Sequence, residues 1–370
     1  MRLKTFFIKE TAMAKVSKMS TWCKMNPLTD RDALYVGLDV HKKSIHAAWW
    51  LNGQLARTWV MPARVSKVLT MLEKVRVALK HVVYEAGPTG FGLARALQGA
   101  GLPVGVVAPG QTPRPAAADN KSDRLDSRKL AEYAAKGMLK FIGLPTEQEE
   151  ADRQVLRTRD QLSSKRRRVQ QQIKSFLLQH GLEEPAGLCR WSREAIAGLK
   201  AMTLGPELRG CLDLLLEELE HLTILQGKLK PALDRLAKSD RHQAAVAILT
   251  SHPGVGPVTA LAFRMELYQP KRFDHSAQVA KLVGLAPRVR QSGDKRWEGP
   301  LLKMGRPELR RLLVEAAWAW VRSDPGGRTI YGRLLANTGR AQKAIVGVAR
   351  RLAIHLWRML VTGELYRPAT

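Results

Sequence analysis

One charged residue inside an apolar run constrains this chain more than any other feature. Tyr35 to Trp50 reads as a buried strand, a tight polar turn at His41-Lys42-Lys43 and a second strand, yet the first strand carries Asp39. A carboxylate in a central strand is costly unless something pairs with it. A divalent metal is one such partner. The other reading is an aspartate whose side chain caps the turn that follows. The choice depends on whether further carboxylates arrive at comparable places downstream.

They do. Leu51-Asn52-Gly53-Gln54 is a turn, and Leu55 to Met61 forms a third strand. Val68 to Leu79 has helical spacing, and His81 to Ala86 is another short buried strand, which brings Glu85. Gly87-Pro88-Thr89-Gly90 opens a helix through Leu97, and Val104 to Ala108 is a further strand. A Pro-rich loop then leads into Asp119 to Asp126, with a helical pattern from about Arg124 through Tyr133. Three strands in a meander, then alternating helices and strands, predict a mixed α/β sheet domain over 34–146. Asp123 and Asp126 stand three apart, so both can address one metal from one helix face. With Asp39 and Glu85 they make four hard oxygen donors suited to Mg²⁺ or Mn²⁺. Two such ions roughly 3.5–4 Å apart carry phosphodiester chemistry. Taken singly, Asp123 and Asp126 also suit the positive end of a helix dipole.

Charge names the class of partner. Lys plus Arg number 61 against 33 Asp plus Glu, a formal charge of +28, which attracts polyanions. Nucleic acid is the first candidate, through counterion release, and an anionic membrane surface the second. No apolar run approaches the roughly 20 residues of a membrane span. Cys23, Cys189 and Cys211 lie too far apart for a disulfide framework or a Cys-x-x-Cys metal pair, which fits a reducing cytosol. Residues 1–33 read as a loose basic extension, in part an overlong start.

The middle of the chain, 147–243, reads as long helices. Val155, Leu162, Val169 and Phe176 fall seven apart, a heptad seam interrupted in its second row by Arg159 and Arg166. After a turn near Pro185-Ala186-Gly187, leucines from Leu208 to Leu236 hold a four-three spacing broken at Gln226. Two such helices make an antiparallel hairpin or an intermolecular coiled coil. The run Lys165, Arg166, Arg167 and Arg168 is by itself a solvated face; in so basic a chain it is also a nucleic-acid contact.

The last part, 244–370, reads as mainly α-helical with a helix-hairpin-helix-like start. In His252-Pro253-Gly254-Val255-Gly256, the glycines Gly254 and Gly256 let backbone N–H groups approach a phosphate at a helix N-terminus, or simply turn the chain. Arg288 to Met304 is polar, basic and turn-rich, and helices resume at Pro307 to Val321 and Ala341 to Leu360.

Val-Gly-Leu-Asp followed by a hairpin also opens the sugar-kinase and actin-like ATPases. There a Gly-rich phosphate turn follows the aspartate, where this chain has His41-Lys42-Lys43. The chain instead resembles the insertion-sequence transposases with a RuvC-like Asp-Glu-Asp-Asp nuclease domain, a coiled-coil middle and a C-terminal catalytic-serine domain, the bridge-RNA-guided recombinases. The matching stretches are Val36 to His41, Val83 to Gly90, Lys121 to Asp126 with Leu130-Ala131, Pro253 to Gly256, Gly284 to Arg288, Ser292-Gly293 and Leu309 to Trp318. The resemblance implies an RNase H-like fold in which Asp39, Glu85, Asp123 and Asp126 bind the metals. It makes Ser292 the nucleophile. Gln291 replaces a serine common in the family, and Trp297-Glu298-Gly299-Pro300 replaces a more Gly- and Leu-like run.

A transposase of this kind takes element and target DNA and a structured guide RNA, and works as a dimer or tetramer in which the two domains meet between protomers. Its place is the cytoplasm, at the nucleoid. Lys121, Arg124, Lys165 to Arg168, Arg288, Arg290, Lys295 and Arg296 are the expected nucleic-acid contacts, with Gly254 and Gly256. Two alternatives stand beside this reading: a metal-dependent junction-resolving nuclease with water as nucleophile, and a non-enzymatic nucleic-acid-binding scaffold.

Overall fold

The computed structural model describes residues 22–109, 112, 123–293, 295–302 and 305–368, with the side chains of 123–125, 290, 296 and 298 left aside. The chain divides into two compact units, Met1–Thr146 and Glu147–Thr370.

In the first unit, β1 (Leu34–Val40), β2 (Ser44–Leu51) and β3 (Gln54–Pro62) form an antiparallel meander. Asn52 and Gly53 close the second hairpin at φ 48° and 89°, the left-handed pair that a two-residue turn between twisted strands requires. Helix α1 (Val65–Glu73), β4 (Leu79–Glu85), α2 (Gly92–Gly99), β5 (Val104–Val107) and α3 (Asp123–Ala135) follow. The sheet order is β3-β2-β1-β4-β5, with β4 parallel to both β1 and β5. The helical spacing expected through Leu79 stops at Glu73, because β4 takes up Leu79 as its first residue.

Alternation along the strands assigns the two faces. Leu34, Val36, Leu38, Ile45, Trp49, Val82, Tyr84 and Val106 pack under α1 and α2. The other face carries Ala48 and Trp50 against Ala131, and Val83 and Val107 against Leu130, all beneath α3. Residues 22–33, which the sequence assigns to the extension, pack on this unit. Trp22 stands edge-on to Trp49 and Trp59, with centroids 5.4 and 6.2 Å away, and Asn52 Nδ2 donates to Asp32 at 2.8 Å.

The second unit opens with α4 (Glu147–Gln179). A 3₁₀ turn (Leu188–Arg190), α5 (Arg193–Ala201) and α6 (Pro206–Ala237) follow. The long second helix therefore does not follow directly on the Pro185 turn; Ser192 caps α5 first, accepting from the Ala195 N–H at 3.2 Å. Helices α4 and α6 run antiparallel within the chain: Gln226 Nε2 donates to Ser163 Oγ at 3.2 Å, while Val169, Ile173 and Leu177 share a core with Leu212, Leu216, Leu219 and Leu222. The buried line of α4 is Asp152, Leu156, Asp160, Val169, Ile173 and Leu177; of the predicted set Val169 is buried, while Val155, Leu162 and Phe176 are partly buried against the same cores. A helix of 3.6 residues per turn drifts away from a seven-residue repeat, and α4 passes from one core to another along its length. Asp160, buried in that line, accepts from Arg306 at 2.8 Å and Arg159 at 3.1 Å.

The remaining helices, α7 (Gln243–Thr250), α8 (Pro257–Leu267), α9 (Ser276–Leu282), α10 (Pro307–Ser323), α11 (Pro325–Thr338) and α12 (Ala341–Thr362), enclose the second core. Where the sequence reads as turn-rich, the structure has a β-hairpin, β6 (Pro287–Ser292) and β7 (Lys295–Leu301). Its prolines and glycines had hidden the strand pattern. No helix among the described residues is long and apolar enough to cross a membrane.

Candidate active site

Asp39 and Glu85 end neighbouring parallel strands. Leu38 lies beside Tyr84 in register, so the two carboxylates that follow stand level at the C-terminal edge of the sheet. Strand alternation turns both toward the α3 face: Asp39 follows Gly37 by two, and Glu85 follows Val83 by two. The open edge at the carboxyl ends of parallel strands is where α/β sheets place their chemistry.

Gly37 explains how α3 reaches that edge. A Cβ on Gly37 would stand 2.0 Å from the Ser127 carbonyl oxygen and 2.6 Å from the Ala131 nitrogen. The helix therefore lies directly on the strand backbone, an approach only glycine allows. Ala131 and Ala135 pack with Tyr35 near the start of β1, so the N-terminal turn of α3 faces the other end, toward Asp39. That turn carries Asp123 and the half-buried Asp126. The side chains of Asp123 and Arg124 lie outside the described residues, and so does Lys121.

Asp39 keeps about a fifth of its side chain exposed, and its Oδ2 lies 3.0 Å from His41 Nε2. His46 is its cross-strand partner in the β1–β2 ladder, and the rings of His41 and His46 stand edge-on with centroids 6.2 Å apart. Neither histidine figures in the sequence-predicted site. The signal was present: a short hairpin that puts Asp39 opposite His46 follows from the alternation of Ile45, Ala47 and Trp49. Among the described residues, no three His, Cys, Asp or Glu side chains are grouped closely enough to hold a metal ion. The donor chemistry nevertheless suits a hard divalent cation: three described carboxylates share one face and one edge of the sheet, with Asp123 on the same helical turn as Asp126.

Ser292 lies in the other unit, exposed at the end of β6. It pairs with Lys295 across a two-residue turn in which Gly293 has φ 58°. Arg288 is exposed on the same strand; Arg290 and Arg296 occupy the strands, with side chains outside the described set. The two glycines between α7 and α8 have separate surroundings. A Cβ on Gly254, at φ 85°, would meet the Ala316 oxygen at 2.5 Å, so this residue is pressed against α10. Gly256 has open space around it and precedes α8. In the basic run of α4, Lys165, Arg167 and Arg168 are exposed and Arg166 is half-buried.

A DEDD transposase domain of the IS110 type matches residues 36–181, and the family described as transposase IS116/IS110/IS902 matches residues 246–332. The transposase-designated y4rJ protein of Sinorhizobium fredii is 30% identical over 78% of this chain and 78% of its own length. The transposase for insertion sequence element IS1111A of Coxiella burnetii is 28% identical over 74% of this chain and 75% of its own. That for IS1328 of Yersinia enterocolitica is 26% identical over 90% and 98%.

Proposed function

The chain belongs to the IS116/IS110/IS902 family of transposases, and from that premise we propose that it cuts and rejoins the DNA strands of its insertion sequence through Ser292, directed by a structured RNA. It is an enzyme of DNA transposition, and its DEDD domain carries divalent-metal dependence. The observation that supports the metal site is the level placement of Asp39 and Glu85 on the face where α3 brings Asp126. With Asp123 they would hold Mg²⁺ or Mn²⁺, which when bound supplies electrostatic stabilisation of charge on the phosphate. His41, 3.0 Å from Asp39, orients that carboxylate.

In the serine step, Ser292 Oγ bonds to phosphorus, the bridging P–O bond breaks, the serine proton leaves to solvent and the freed strand end becomes a hydroxyl. Attack by the hydroxyl of a second strand reverses it and restores the serine, so rejoining needs no ATP. Lys295 across the turn and Arg288 on the same strand offset the phosphate charge. In this proposal the protein works at the nucleoid as a homo-oligomer.

A suicide DNA substrate with guide RNA and Mg²⁺, followed by denaturing electrophoresis and peptide mapping, tests it. The expected adduct maps to Ser292, is absent in Ser292→Ala, and is lost with chelator or Asp39→Asn. Cleavage by Ser292→Ala without any adduct would instead make water the nucleophile, as in a junction-resolving nuclease. Strand transfer surviving loss of all four carboxylates would remove the metal role.

A further inference from the structure

The β6–β7 hairpin carries an aromatic ring that the folding of this unit does not use. Trp297 is 57% exposed, in a chain whose tryptophans Trp49, Trp50, Trp320 and Trp357 are buried. Its ring is nonetheless placed. A Cβ on Gly299 would lie 2.9 and 3.0 Å from the ring carbons Cζ3 and Cη2, so the outer edge of the six-membered ring stands against the bare backbone of Gly299. The ladder slips once beside it, between Pro287 and Val289, the kind of irregularity that re-aims a side chain. A ring held by its edge at a glycine, with 57% of the residue exposed, offers its surface to a partner from solvent.

Register sets what else stands on that face. Ser292 pairs with Lys295, and Arg290 pairs with Trp297. Directly paired residues share a face of a ribbon, and so do residues two apart. Ser292, Lys295 and Trp297 therefore line one side of the hairpin. The segment from Pro287 to Leu301 holds four Arg or Lys against one Asp and one Glu, in a chain of net charge +28. A solvent-facing indole beside cations attracts one class of ligand above others: an unpaired base stacks on the ring while its phosphates meet the cations.

We propose that Trp297 is a stacking platform for an unpaired base of the DNA strand that Ser292 attacks, with Gly299 as the seat of the ring. This deepens the serine reading and rests on it. Trp297 is a positioning residue: it holds the base, and through it the phosphodiester, over the serine. Base stacking on an aromatic ring tolerates any sequence, so the platform adds affinity for single strands with little discrimination between bases.

Binding of the full chain to single-stranded DNA, to the same sequence as duplex and to single-stranded RNA, without metal, tests the platform apart from cleavage. A 2-aminopurine walked along the single strand reports stacking through its quenching. Trp297→Ala should weaken single-stranded DNA binding roughly 5- to 150-fold and release the quench at one position. Trp297→Phe should keep most of both. The salt slope should stay the same, since no charge is removed, and duplex affinity should hold. Gly299→Ala, which pushes the ring off its seat, should act in the direction of Trp297→Ala.

Unchanged single-strand affinity and quench in Trp297→Ala would overturn the proposal, and so would a loss confined to RNA or an equal loss on duplex. A Ser292 adduct formed normally by a Trp297→Ala chain of unaltered affinity sinks the platform alone. An intact platform without any Ser292 adduct sinks the serine reading alone.

Discussion

Replacing Gly37 with alanine should unseat helix α3 and disable the carboxylate edge together. The added Cβ would stand 2.0 Å from the Ser127 oxygen and 2.6 Å from the Ala131 nitrogen, both backbone atoms that no rotamer change can clear. To restore an ordinary contact of about 3.4 Å, the helix must retreat by roughly 1.4 Å, taking Asp126 with it. Overpacking of this kind costs about 1–3 kcal/mol, and two backbone clashes put Gly37→Ala at the upper end. Local opening of α3 becomes easier by that amount, so its amides should exchange roughly 100-fold faster.

Hydrogen exchange followed by mass spectrometry resolves peptides of α3 from the rest of the chain, and strand cleavage is measured on the same preparation. Gly92→Ala is the control. Its Cβ would meet nothing within 4 Å. Its cost should stay within about 1 kcal/mol. Equal protection of α3 in Gly37→Ala and wild type, with cleavage retained, would refute the seating of the helix on β1.

Three further outcomes follow from the second unit. Burial among Trp320, His355 and Tyr366 pushes His252 down to about 4 from its ordinary 6.5. The neutral ring is the form that fits. Its contribution is complete above pH 6.5 and is lost as the pH falls from there through 4, by about 3 kcal/mol in total. Urea midpoints between pH 7 and 4 should show that slope, and His252→Gln should flatten it. Leu222, 5% exposed in the α4–α6 seam, should tolerate aspartate poorly, losing several kcal/mol. Light scattering should show an unchanged mass for Leu222→Asp, since the seam is filled within one chain; a smaller species would make it intermolecular. Neutralising Lys165, Arg167 and Arg168, exposed on α4, should reduce the salt dependence of nucleic-acid binding by about 3 in log–log slope; an unaltered slope would make that face merely solvated.

The sheet was legible because its strands alternate cleanly: Leu34, Val36 and Leu38 one way, Tyr35, Gly37 and Asp39 the other. The same alternation placed Asp39 and Glu85 near strand ends, since a carboxylate interrupting an apolar run stands out against the cost of burying it; in the structure Asp39 is partly buried and Glu85 is exposed. What did not show was Gly37. Nothing local distinguishes a glycine that admits a helix backbone from one that merely relaxes a strand, because the reason is Ser127, 90 residues on. The glycines of Pro253 to Gly256 read as one motif, yet Gly254 answers to α10 and Gly256 to open space. The hairpin of β6 and β7 was missed for a related reason: Pro287, Gly293, Gly299 and Pro300 read as punctuation, while the ladder tolerates them at its ends, its turn and its slip.

Ser292 differs in kind from the carboxylates. Burying an aspartate costs free energy that something must offset, so its placement already implies a partner. An exposed serine at a hairpin turn costs nothing and implies nothing. Its chemistry becomes legible only through the surface around it. On this hairpin, that surface is Lys295 directly across the turn and Trp297 further along the same face, its ring edge against Gly299 and the residue 57% exposed. An indole left 57% exposed in this way keeps more than half of its area in water. On our proposal, a base covering the ring would recover that area next to the hydroxyl, which would put the exposed tryptophan and the exposed serine on the same strand of DNA.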